Sequence, residues 1–199
     1  MTTATLAHAP ADPYATSTGI PHGKLGMWLF LASEIMLFAT IFTTYIVLRV
    51  AAPSWPRGWE TLNVPLATFN TLVLITSSVT MVLAYAAAVE RHMGKFRLNM
   101  GLTIFLGCVF LVVKGFEYSA KFSAGHYPST SIFYAVYFTA TGLHMLHIIG
   151  GLFLMTGLLF LHPFQWDHPL FVGRIEYAGL YWHFVDIVWI FLFPALSLL

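Results

Sequence analysis

The sequence predicts an all-α polytopic membrane protein, a bundle of five transmembrane helices. Three observations carry this. Hydrophobic residues make up 58% of the 199 positions and charged residues 9%, with mean hydropathy +0.78; a soluble domain needs roughly 25% charged residues to cover itself. Five apolar segments each supply the ~20 residues that a spanning helix requires. In hydrocarbon only helices and closed barrels satisfy the backbone, and these runs are too long and too continuously apolar for barrel strands.

The first segment covers about residues 25–50, ends near Arg49, and is broken at Ala51-Ala52-Pro53, because proline cannot continue a helix. The following loop holds Trp55, Arg57, Trp59 and Glu60, and tryptophans beside charges suit headgroup depth. Pro65 opens the second segment, 65–89, at a first-turn position where its missing N–H is no loss. Glu90 to Lys95 make a polar turn before the third, 96–121. After the loop at Gly125 to Ser129, Thr130 or Ser131 is placed to cap the fourth, 132–161, as short hydroxyl side chains do. His162-Pro163 ends it, and a loop from Gln165 to Gly173 precedes the fifth, 174–198.

Residues 1–23 read as a flexible N-terminal tail and 24–199 as one membrane domain. No apolar run follows a charged start, so no cleaved signal peptide is expected. Five basic residues flank the segments on the N-terminal side (Lys24, Arg91, Lys95, Arg97, Arg174), against four on the other (Arg49, Arg57, Lys114, Lys121). The excess places the N-terminus in the cytoplasm.

Several function classes drop out. With net charge +1 and no basic run, nothing neutralises phosphates, so no nucleic-acid partner is expected. Cys108 is the single cysteine, which leaves no internal disulfide and no cysteine-based metal site. No phosphate-cradling loop, nucleophile elbow or His-Glu-x-x-His pattern occurs, so no catalytic residue and no metal ligand is assigned. A secondary transporter would want inverted repeats, and five helices do not divide into equal halves.

Polar residues at membrane depth are costly and therefore informative. Glu34 sits mid-way in the first segment with no other charge within nine residues; it must face protein or a wet cavity, and is read as a buried functional acid. In the second segment Asn70, Ser77 and Thr80 belong to a run of small polar residues suited to close helix packing. Lys114, Glu117 and Lys121, spaced three and four apart, share a helix face and can pair. His144 and His147 lie deep in the fourth segment. Glu176, Gly179, His183 and Asp186 form one stripe on the fifth, with Asp186 placed to accept the ring N–H of His183. Two histidines on facing helices can ligate haem iron, so a small haem-binding cytochrome stays open. The plainer expectation is one intramembrane hydrogen-bond network joining Glu34, His144, His147, His183 and Asp186.

At these residues the chain resembles a known family, subunit III of cytochrome c oxidase. The matching runs are Gly26 to Glu34, Asn70-Thr71-Leu72 with Ser77 to Thr80, Phe116-Glu117-Tyr118, Ala140 to His147, and Tyr181 to Trp189, in family order from about Lys24 to the C-terminus. The resemblance implies a non-catalytic core subunit of a haem-copper oxidase, in a respiratory chain that passes electrons to O2 and pumps protons. It implies that haem and copper lie in partner subunits and none in this chain. Direct contact with subunit I, association with subunit II and small subunits, bound phospholipid, and support of proton uptake are also implied. Glu34 matches the family's buried carboxylate; His144, His147, Glu176, His183 and Asp186 match its intramembrane polar positions. Longer members have seven helices, and the five here resemble the short bacterial form of the cytoplasmic membrane, so the long form's lipid cleft is not expected from this chain alone. Ser33-Glu34 resembles the cytochrome c branch; a quinol oxidase or nitric-oxide-reductase-associated homologue is the alternative.

Overall fold

A computed structural model describes residues 20–56, 58 and 63–197, with residues 161–165 as backbone only. Most of the expected tail, together with Arg57, Trp59, Glu60 and the last two residues, lies outside the described residues. Five helices follow in order: α1 (His22–Ala51), α2 (Val64–Val89), α3 (Met93–Ser123), α4 (Ile132–Gln165) and α5 (Phe171–Ser197). All five are long and apolar enough to cross a membrane.

Three of the helix starts are held by side-chain hydrogen bonds. Asn63 Oδ1 accepts the Leu66 N–H at 3.2 Å, ahead of Pro65. Ser131, not Thr130, caps α4 by accepting the Tyr134 N–H at 3.3 Å. The His168 ring takes the Leu170 N–H at 3.2 Å and its carbonyl takes the Phe171 N–H at 3.0 Å. That cap starts α5 three residues before the boundary the sequence suggests. α4 also runs past Pro163, to Gln165; so near a helix end proline removes a single ladder bond. The Arg91 guanidinium holds that end by donating to the Trp166 carbonyl.

Helices α2, α3, α4 and α5 close into a ring, each packing on the next and α5 returning to α2, while α1 lies outside against α5 and α4. Accordingly 50% of the α5 span is buried inside the protein but only 6% of the α1 span. The inward face of α1 is a narrow seam: Met27, Leu31, Glu34, Phe38, Ile41 and Tyr45, at alternating spacings of four and three, are buried or half-buried. This is the spacing of left-handed helix packing. Polar ties pin α1 at three depths. Lys24 Nζ meets Glu176 Oε1 at 2.9 Å, Glu34 meets His147, and Tyr45 Oη donates to the Ala195 carbonyl at 2.5 Å.

Trp182, fully buried, fills the ring's interior. Its indole N–H donates to Ser77 Oγ at 3.0 Å. Gly107 and Gly151 make room for it: a Cβ on either would meet the Trp182 ring at 2.9 and 2.8 Å.

Candidate functional site

The expected polar network resolves into separate groups, because His144 and His147, three residues apart, leave α4 in different directions. His147 points to α1. Its Nε2 lies 2.8 Å from Glu34 Oε2 and its Nδ1 2.8 Å from the Leu143 carbonyl. Phe38 covers the ring edge-on at 5.1 Å, and Tyr181 Oη donates to the His147 carbonyl at 2.9 Å. The pair is half-shielded, at 14% and 15% side-chain exposure. Glu34 lies twelve residues into α1, about 18 Å along the helix axis, so the pair sits near mid-span.

His144 points into the ring. It is fully buried, stacked on Trp189 at 5.1 Å and edge-on to Phe110 at 5.8 Å. It does not join the Glu34 group by hydrogen bonding.

On α5, the stripe of Glu176, His183 and Asp186 reaches different partners. Glu176 pairs with Lys24. His183 Nδ1 is 2.5 Å from Ser78 Oγ of α2. The expected bond from His183 to Asp186 is not made: Ser78 occupies that role. The buried Asp186 carboxyl stands near Ser78 without a hydrogen bond of ordinary geometry.

Near the C-terminal end of α3, Lys114 Nζ bonds Glu117 Oε2 at 2.7 Å, with both side chains buried at 2% and 8% exposure. Tyr137 Oη donates to Glu117 Oε1 at 2.6 Å. Lys114 also lies 4.6 Å from the centre of the Trp189 ring and Lys121 5.1 Å from that of Tyr137; both ammoniums gain from the ring faces. Asn70, Ser77 and Thr80 each bridge helices: Asn70 Nδ2 donates to the Phe110 carbonyl at 3.3 Å, Ser77 accepts from Trp182, and Thr80 meets Thr103 at 2.8 Å.

The sequence reading missed Tyr137, Tyr181 and Lys24 as partners. Tyr137 lies 20 positions from Glu117, Tyr181 lies 34 from His147 and Lys24 lies 152 from Glu176, so no local pattern links them. Among the described residues no group of three or more His, Cys, Asp or Glu is arranged to hold a metal.

Between α1 and α5 runs an apolar groove of about 510 Å³, lined by residues that include Ile35, Phe38, Phe42, Phe184, Ile187 and Phe191. Its lining on α1 starts at Ile35, the residue after Glu34.

The family model described as cytochrome c oxidase subunit III matches residues 12–198. The chain is similar to cytochrome c oxidase subunit 3 of Bacillus sp. (strain PS3), at 33% identity over 96% of this chain and 92% of that one. Cytochrome c oxidase subunit 3 of Bacillus subtilis is also 33% identical, over 96% and 92%. Cytochrome bo(3) ubiquinol oxidase subunit 3 of Pseudomonas aeruginosa is 32% identical, over 100% of this chain and 99% of its own.

Proposed function

The chain belongs to the cytochrome c oxidase subunit III family of haem-copper oxidases, and from that premise we propose that it is the non-catalytic third subunit of a cytochrome c oxidase complex, in which Glu34 supports proton uptake. The single observation that carries the proposal is the Glu34–His147 pair: a carboxyl and an imidazole 2.8 Å apart near mid-span, where an isolated charge would be costly. Electron transfer and O2 reduction belong to haem- and copper-bearing partner subunits, with subunit I as the direct neighbour and subunit II and small subunits completing the assembly. Ser33-Glu34 supports the cytochrome c branch over the quinol branch.

The groove between α1 and α5 suits a phospholipid acyl chain, since its lining is apolar and its residues Ile35, Ile187 and Phe191 are exposed. The inner orientation of the N-terminus gains support from Lys114. That residue and Lys121 are both buried and do not count as flanking charges, so the basic excess becomes five against two. Bacterial relatives of matching length favour the bacterial cytoplasmic membrane.

Mild solubilisation of the native membrane and affinity capture of this chain tests the assignment. Co-purification of a haem-bearing subunit that oxidises reduced cytochrome c supports it; oxidation of quinol alone moves the chain to the quinol branch, and a Soret band from the isolated chain makes it a haem protein itself. In the captured complex, Glu34→Gln is expected to lower the protons moved per electron or the number of turnovers before inactivation. Unchanged values in both leave Glu34 a packing residue.

A further inference from the structure

Among the described residues, five buried side-chain atoms lack a hydrogen-bond partner: Asn70 Oδ1, both ring nitrogens of His144 and both carboxyl oxygens of Asp186. The three residues are 1%, 0% and 4% exposed. They stand on three helices of the ring, α2, α4 and α5; Asn70 and His144 adjoin one pair of aromatic side chains, and Asp186 lies one turn before the second of these, Trp189. Phe110 of α3 meets the His144 ring at 5.8 Å and Trp189 at 5.0 Å, and its carbonyl accepts from Asn70 at 3.3 Å. Trp189, one turn beyond Asp186, stacks on His144 at 5.1 Å and donates to Thr71, the neighbour of Asn70, at 3.0 Å.

These atoms demand both kinds of partner. A neutral imidazole has one donor and one acceptor nitrogen; an amide oxygen only accepts; a carboxyl accepts, and donates when protonated. A cation would leave the imidazole N–H unmet, and an anion would leave the oxygens unmet. Water serves both, and internal waters in proteins are held by just such otherwise unpaired groups. Inside a membrane span the demand is stricter, because lipid offers no hydrogen bond.

We infer that the four-helix ring encloses internal water molecules held by His144, Asn70 and Asp186. Ser78 stands beside Asp186 and binds His183, so it borders the hydrated region. The inference does not rest on the role proposed for Glu34; it concerns the side chains of α4 that point into the ring, not His147, which points to α1.

X-ray hydroxyl-radical footprinting of the intact, purified complex tests it, because radicals formed in bound water label the side chains beside it even when bulk solvent is excluded. Trp189 and Phe110, 2% and 0% exposed, are compared with Trp182 and Phe171, 0% and 1% exposed. The expected result is labelling of Phe110 about tenfold faster than Phe171, with Trp189 labelled at least as fast as Trp182, since water held at buried polar groups supplies the radicals locally. In His144→Phe the ratio of Phe110 to Phe171 should fall toward unity. Labelling of Phe110 no faster than that of Phe171 in the wild type means a dry core and overturns the inference. If the variant does not assemble, the wild-type ratio decides alone.

Discussion

His147 Nδ1 faces the Leu143 carbonyl at 2.8 Å, while its Nε2 faces Glu34 Oε2 at 2.8 Å. A carbonyl only accepts, so Nδ1 carries a proton. Glu34 and Nε2 then share a single further proton: either the carboxylic acid donates to a neutral ring, or the imidazolium donates to a carboxylate. The pair is neutral overall in both cases, which is how a carboxyl persists at this depth without a large desolvation cost.

This geometry separates two substitutions of Glu34. In Glu34→Gln the new side-chain amide N–H can still donate to Nε2, so this variant should assemble and melt like the wild type while losing the ionisable carboxyl proton. Glu34→Leu strands Nε2 and is expected to cost about 1–3 kcal/mol. Thermal release of this chain from the complex, followed for both variants, checks the difference.

The glycines predict a second contrast. A Cβ at Gly151 meets the Trp182 ring at 2.8 and 2.9 Å, and one at Gly107 meets Leu152 at 2.8 Å and Trp182 at 2.9 Å. Trp182 is fully buried and its indole is tied to Ser77, so it cannot move aside cheaply. Gly151→Ala and Gly107→Ala should each destabilise by about 1–3 kcal/mol, the usual cost of overpacking. Gly101 and Gly157 have nothing within 4 Å, and alanine there should leave the melting temperature unchanged or raise it.

The Lys114–Glu117 pair should respond to how it is broken. Lys114→Met leaves a buried carboxylate with Tyr137 as its hydrogen-bond donor and is expected to cost about 3–5 kcal/mol. Removing both charges, as Lys114→Met with Glu117→Leu, should cost clearly less than the sum of the single changes. A double-mutant cycle on thermal stability reads the coupling.

Arg91 turns the chain between α2 and α3 at φ 60°, where the His92 N–H reaches back to the Ala87 carbonyl at 2.8 Å. Glycine usually fills this position. Arg91→Ala and Arg91→Gly both lose the tie to Trp166, so they differ in backbone strain, offset in part by glycine's greater freedom in the unfolded chain. The glycine variant should be the more stable by about 1 kcal/mol.

Composition and segment length determined that the chain crosses the membrane five times, and an isolated acid between long apolar flanks marked Glu34. The family was legible too, because its motifs are short runs such as Tyr181 to Trp189, read directly along the chain. Pairing was not legible. Only the packed helices decided that His147 meets Glu34, that His144 turns inward onto Trp189, and that Ser78 rather than Asp186 takes the His183 ring. Nor could periodicity reveal the α1 seam of Glu34, Phe38 and Tyr45. A soluble helix shows its buried face because water demands polar residues on the other side. Here the exposed Leu29, Met36 and Val47 are as apolar as the buried Phe38, because a membrane demands no polar outer face, so both faces are apolar and the sequence carries no sign of which one is inside.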